Sequence, residues 1–277
     1  MGTITKSNTK LFWKEFFKRV QEDGVMDLSA QLAYYFLLSL FPFLIVSITL
    51  VTAIVDPQQL FRLIDAYGPP ELMEIIKENM NVINQGGGTI LSVGIIVTLW
   101  TASNGMNAVI RALNKAYDVP ENRNFIVARG VAISLTFGML FMIVVAMLLP
   151  IFGEMIGNFF IYIGLSHFEP VWNALRWVIS TILIAGVITM IYVAAPNKKL
   201  VVHDVWIGAV VATIGWQLVS WGFAFYVNSF SNYNATYGSL GGIIVLMLWF
   251  YISGMMLIIG GELNATLNKF RRRTNTF

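Results

Sequence analysis

Glu262 and Asn264 sit two positions apart at the inner end of a long apolar stretch, and Arg111 and Asn114 stand at the inner end of another. They are among the few residues here whose types could hold a charged or hydrogen-bonding ligand. The usual catalytic sets are missing. Cysteine is absent, which removes disulfides, thiolate catalysis and cysteine-metal sites together. The two histidines, His167 and His203, fall on opposite sides of the topology derived below, so they cannot share a metal or pair with one nucleophile. No P-loop and no Gly-x-Ser-x-Gly elbow occurs. The inner acids, Glu15, Glu22, Asp23, Asp27, Asp118, Glu121, Asp204 and Glu262, lack metal-ligand spacing, and Asp204 and Glu121 read as partners of Lys198, Lys199, Arg123 or Arg129. The expectation is a protein that is not an enzyme, with no catalytic residues, metal or cofactor.

Neutral polar groups inside the apolar stretches are more numerous. Gln31, Tyr34, Tyr35 and Ser39 lie in the first half of the first stretch; Ser103, Asn104 and Asn107 lie in the second half of the second. Gln217 is near the middle of the fifth, and Ser253 is in the inner half of the sixth. In lipid each such group either hydrogen-bonds a neighbouring helix or lines a water-filled cavity. Both readings stay open for each residue, but their concentration in one half points to a polar cavity open on that side. Pro42 removes a backbone hydrogen bond from the first stretch, so it either kinks that helix or hinges it. Gly241 and Gly242 open the sixth stretch, where they permit close packing and complete a candidate hinge with Pro42.

The elements that must position these groups follow from hydropathy. With 12% charged and 57% hydrophobic residues and a mean hydropathy of +0.69, 277 residues cannot solvate a globule, so the solvent is largely lipid. A hydrocarbon core of roughly 30 Å takes about 20 apolar residues in a helix. Six stretches meet that length: 28–55, 89–110, 130–153, 177–197, 205–227 and 240–261, the last two divided by the turn-forming residues from Asn228 to Ser239. The fold class is therefore all-α, a polytopic membrane protein with six transmembrane helices, cytoplasmic N- and C-termini and short interfacial and extracellular helices. Residues 1–27 form a cytoplasmic amphipathic helix, 28–267 the six-helix domain with an outer helical loop at 56–88, and 268–277 a basic cytoplasmic tail. No apolar stretch near Met1 resembles a secretory signal, so the first span is retained as an anchor.

Orientation comes from the cations. All but Arg62, Lys77 and Arg176 of the 18 lysines and arginines fall in the N-terminal segment, the second and fourth connections and the C-terminal tail, which places both termini inside. Over residues 9–20, Phe12, Trp13, Phe16, Phe17 and Val20 recur at helical spacing beside Lys10, Lys14, Lys18 and Arg19, the pattern of a helix lying on the cytoplasmic leaflet. Outside, Pro57 and Pro69-Pro70 each open a short helix, Gly86 to Gly88 break the chain, and Pro150 ends or kinks the third span. The net charge of +3 and pI of about 9.1 reflect the positive-inside bias, and no nucleic-acid partner is expected. The second and sixth spans also echo each other around Trp100 and Trp249, a match that would bring Asn114, Glu262 and Asn264 to one cytoplasmic mouth.

Four segments carry a family likeness: Ala30-Gln-Leu-Ala-Tyr-Tyr-Phe-Leu-Leu-Ser-Leu-Phe-Pro42, Ala112-Leu-Asn-Lys-Ala-Tyr117 followed by Glu121 and Arg123, Tyr237-Gly-Ser-Leu-Gly241, and Gly261-Glu-Leu-Asn-Ala265. In this order the chain resembles the YihY/BrkB family of bacterial inner-membrane proteins over nearly its whole length. The resemblance implies six transmembrane helices in a bacterial cytoplasmic membrane. It brings no settled activity: members have carried a ribonuclease label, a serum-resistance label and suggestions of transport or lipid translocation.

The resulting expectation is a transporter or lipid flippase with a cavity between the first, second, fifth and sixth helices. An amphipathic or anionic substrate would pass Arg111, Arg123 and Arg129 and rest near Gln31, Tyr35, Asn104, Asn107 and Gln217. Its partners would be membrane lipids and a lipid or small amphipathic substrate, with oligomerisation left open. A non-transporting envelope scaffold or assembly factor is the alternative, and a membrane-bound ribonuclease the remote one.

Overall fold

The computed structural model describes residues 6–54, 88–139, 169–229 and 239–274, with side chains from 9–40, 100, 103–139, 170–172, 174–226 and 241–271. Every regular element among them is a helix: α1 (Lys6–Glu22), α2 (Val25–Ile54), α3 (Gly88–Ala116), α4 (Phe125–Met139), α5 (Glu169–Ala194), α6 (Val202–Ser229) and α7 (Ser239–Thr274). Segments Pro170–Ala194, Val202–Tyr226 and Gly241–Arg271 are long and apolar enough to cross a membrane, and Val25–Leu40 and Phe125–Met139 are shorter apolar helices. The outer loop expected at 56–88 lies, except for Gly88, outside the described residues, as do Pro150 and most of the turn-forming stretch from Asn228 to Ser239.

Local chemistry explains where the helices stop. Gly24, at φ 64°, turns the chain between α1 and α2, a left-handed conformation that glycine adopts without a Cβ clash. At the end of α3 the Val119 N–H donates to Asn114 O and the Asp118 N–H to Lys115 O, a Schellman cap with Asp118 at φ 52° in the place glycine usually takes. Asn124 caps α4 by accepting the Val127 N–H at 2.9 Å, and Asp204 accepts the Val201 N–H at 3.2 Å to cap α6.

α7 is the central helix, packed against α6 and α2; α2 packs on α3, and α5 on α6. Small residues set the closest crossing. A Cβ on Gly208 would land on the Gly260 carbonyl oxygen, and one on Gly260 would meet Tyr192, Gly208 and Ala212. With no hydrophobic drive between helices in lipid, such close approach supplies the association through dispersion and short polar contacts. Around it Leu32, Val109, Leu113, Tyr192, Val205, Ala212 and Ile258 are almost fully buried.

Two sequence expectations change in detail. α7 does not stop at Gly261 but runs through Glu262 and the basic segment to Thr274. α1 lies across the end of α7 rather than standing apart: Phe12 stacks edge-on with Phe270 at 5.5 Å, and Lys269 Nζ meets Glu15 Oε1 at 2.7 Å. The α2 helix continues through Pro42, whose side chain is outside the described set.

Candidate functional site

One end of the bundle gathers α1, the ends of α3 and α7, and the connection between α5 and α6. Arg19 is its hub, only 7% exposed. Its Nε donates to Glu262 Oε2 at 3.3 Å, one terminal nitrogen donates to Asp118 Oδ2 at 2.9 Å, and the other donates to the Ala116 carbonyl and lies 3.7 Å from Asp23 Oδ2. Burial pulls this guanidinium down, but the Asp118 and Glu262 carboxylates more than reverse the effect and keep it charged. Tyr117, buried beneath it, is pushed well above the usual tyrosine range by desolvation and then by the charges of Asp204 and Glu262. A cavity of about 200 Å³ opens beside Arg19, Tyr117, Asp118 and Lys198. Although its neighbours Lys10, Lys14 and Lys18 are exposed, Arg19 lies buried with Phe16 on the side of α1 that also carries the part-buried Phe12.

A second set of polar residues is used up in holding helices together. Asn264 is fully buried; its Oδ1 accepts the Gly208 N–H at 2.7 Å and its Nδ2 donates to Val205 O at 2.8 Å. Asn114 donates to Glu121 Oε2 at 2.8 Å and accepts the Asn197 N–H at 2.6 Å. Gln217 donates to Thr181 Oγ1 at 2.8 Å, and Asn104 accepts from Arg129 at 2.8 Å. Arg129 also lies 3.8 Å over the Trp100 ring and donates to its carbonyl, while Arg123 donates to Ala195 O and Pro196 O at 3.2 and 2.8 Å and faces Glu121 at 3.8 Å. Two of the three arginines expected to admit substrate therefore serve the fold.

A third set stays open. α2 and α3 meet where a Cβ on Gly105 would come within 3.2 Å of Phe36, and toward their Asp27 and Lys115 ends they present Gln31, Tyr34, Tyr35, Asn107 and Arg111. Gln31 and Arg111 are exposed, Tyr34 is 52% exposed, and Tyr35 and Asn107 are part-buried. The Arg111 guanidinium sits 5.9 Å from the Tyr35 ring centroid, within cation–π range. Ser39, further along α2, is turned onto its own helix and donates to Phe36 O at 3.0 Å. Gly241 is buried and Gly242 exposed, with nothing within 4 Å of a Cβ on Gly242.

The sequence model of the family described as Virulence factor BrkB matches residues 16–276. The chain belongs to the YihY/BrkB family. The ribonuclease-like protein YfkH of Bacillus subtilis is 49% identical to it over 265 residues, covering 94% of this chain and 96% of YfkH. UPF0761 membrane proteins of Alteromonas mediterranea and Aeromonas salmonicida are 25% and 26% identical, each over 92% of this chain and over 86% and 88% of their own. No solved structure matches. Among the residues singled out from sequence, the BrkB-family protein thus has one open polar face and two clusters bonded within the fold, in which Glu262 Oε1 and Arg129 Nε are buried without a protein partner. Arg19, Gly208 and Tyr192, whose hydroxyl donates to Leu257 O at 2.5 Å, were not among them. The Gly208-x-x-x-Ala212 spacing was the available signal for the crossing, and the Phe12-Phe16-Arg19-Asp23 stripe was the one for Arg19.

Proposed function

We propose that this BrkB-family protein is a bacterial inner-membrane transporter or flippase that takes an anionic, amphipathic lipid at the α2–α3 face. One observation carries the reading: Gln31, Tyr34 and Arg111 are exposed one to two turns inside the polar ends of apolar helices. An uncompensated guanidinium or amide facing hydrocarbon is expensive, so this face is built for water or a headgroup. Arg111 would hold the phosphate or carboxylate, with Gln31, Asn107 and the two tyrosines around it, while the acyl chains stay in the bilayer. The meeting of α1, the α3 end, the 195–201 connection and the α7 end at one pole supports a shared side for the basic segments, and the positive-inside bias makes that side cytoplasmic. The six-span arrangement and movement about Pro42, Gly241 and Gly242 belong to the same reading. Without an ATPase motif, the drive would be an ion gradient, a partner or the substrate's own gradient.

The test is reconstitution into vesicles with fluorescent phosphatidylglycerol and an impermeant quencher. Wild-type protein should expose the inner-leaflet label and Arg111→Gln should not. Equal quenching in wild-type and protein-free vesicles would sink the proposal and leave the scaffold reading. The ribonuclease-like wording belongs to the name of YfkH.

A further inference from the structure

The open face of α2 looks away from α7. Gln31 and Tyr34 lie on the other side of the helix from Ser29 and Leu32, which meet Gly254 of α7. On α3, Asn107 and Arg111 stand one turn apart, across the helix from Gly105, which meets Phe36. The Arg111 guanidinium, 5.9 Å from the Tyr35 ring centroid, joins the two rows, and Tyr34 stacks edge-on with Tyr35 at 5.6 Å.

The charges around this face cancel except for that of Arg111. Asp27 and Lys115 lie one turn nearer the helix ends; Asp27 Oδ2 and Lys115 Nζ are 3.6 and 3.9 Å from the point where a Gly24 Cβ would sit, so a carboxylate and an ammonium offset each other at the α1–α2 turn. Lys18 pairs with Glu22 at 3.6 Å and Asp23 with Arg19 at 3.7 Å. Arg129, from α4, is buried and committed to Asn104 and Trp100, two turns from Arg111 along α3. Among the described residues no carboxylate lies within ion-pairing distance of Arg111. The rest of the face is neutral: the amides of Gln31 and Asn107 and the hydroxyls of Tyr34 and Tyr35 each both donate and accept hydrogen bonds. Such groups match hydroxyls. A ligand ammonium beside Arg111 would be repelled and would find no uncompensated carboxylate, a costly arrangement at the edge of hydrocarbon.

On the reading that this face takes a lipid, we propose that the lipid is a phosphodiester whose headgroup is uncharged and carries hydroxyls, a glycerol-type headgroup, and that zwitterionic lipids are rejected. Arg111 holds the single phosphate charge, and Gln31, Asn107 and the tyrosine hydroxyls bond the headgroup hydroxyls. One guanidinium meets one negative charge, and each remaining polar group meets a neutral partner.

Full-length protein in detergent, offered pairs of lipids with identical acyl chains, reports the preference by native mass spectrometry. Phosphatidylglycerol should be retained over phosphatidylethanolamine by about tenfold, and over phosphatidylmethanol, which has the charge without the hydroxyls, by about threefold. Arg111→Gln should abolish the first preference. Gln31→Leu combined with Asn107→Leu should abolish the second and keep the first; all three positions are exposed or part-buried, so the variants should fold. Glycerophosphoglycerol, the same headgroup without acyl chains, should not displace the lipid at equal concentration. Equal retention of phosphatidylglycerol and either rival, no retained lipid, displacement by the soluble headgroup, or preferences unchanged in Arg111→Gln would overturn the assignment. Selective retention by a protein that moves no lipid in the vesicle assay would instead sink the transport reading and leave this site standing.

Discussion

Asn264 of α7 clamps the backbone of α6 beside Gly208, accepting its N–H at 2.7 Å while donating to the carbonyl of Val205 at 2.8 Å. One side chain satisfies a donor and an acceptor at the point where the two helices come closest. Replacing it by Leu, similar in size but without polar atoms, removes both bonds. A loss of about 1–3 kcal/mol is expected for each buried group left unpaired. Detergent thermal unfolding of Asn264→Leu should show a large drop, and an unchanged midpoint would contradict the clamp.

The glycines at that crossing should respond unequally to a methyl group. Gly208→Ala places its Cβ on the Gly260 carbonyl oxygen, a backbone atom that cannot swing aside, so about 1–3 kcal/mol of destabilisation is expected. Gly222→Ala and Gly242→Ala meet nothing within 4 Å and should be neutral or slightly stabilising through helix propensity. The same unfolding assay ranks them.

Asp118 combines an unfavourable backbone with a favourable charge contact. Asn tolerates φ 52° but carries no charge, so Asp118→Asn isolates the Arg19 ion pair. Asp118→Ala loses that pair and also places a residue in a conformation it disfavours by about 1–2 kcal/mol. Stability should fall in the order Asp, Asn, Ala; Ala equal to Asn would show that the left-handed turn carries no strain.

Arg111 and Arg129 should separate function from fold. Arg129→Leu removes the stacking on Trp100 and the bond to Asn104, at about 2 kcal/mol, and should lower stability. Arg111→Leu removes an exposed guanidinium and should leave stability nearly unchanged while weakening binding of an anionic lipid. Equal effects on both readouts would remove the distinction.

Water access provides an independent check. Cysteines at Gln31 and Asn107 should react with a membrane-impermeant maleimide from the cytoplasmic side. Cysteines at Gln217 and Asn264, whose native side chains are bonded between helices, should stay inert. Labelling of the second pair but not the first would move the open face elsewhere in the bundle.

Some of this architecture could be read along the chain. Helix α1 was expected over 9–20 and spans Lys6–Glu22, and the expected pairing of Glu121 with Arg123 is present. Asn114, Glu262 and Asn264 were expected at one mouth; Asn114 bonds Glu121 and Asn197, Asn264 bonds the α6 backbone, and none of the three lines the cavity beside Arg19. What could not be read was their use. Asn264 and Gln31 are both amides near the inner ends of apolar helices, yet one is fully buried and bonded and the other is exposed. The side on which Arg19 falls is not legible along the chain, because α1 offers two adjacent apolar lines, Phe12-Phe16 and Trp13-Phe17. Only the continuation of α7 to Thr274 supplies the surface that selects the first.

The sequence by itself determined the helical class, the membrane setting and the family, because hydropathy, charge and motif order are local properties that sum along the chain. Tertiary structure alone decided which polar groups are spent and which remain open. That outcome depends on how closely helices distant in sequence approach, as at Gly208 and Gly260, and a hydrogen bond exists only where such an approach brings donor and acceptor within about 3 Å.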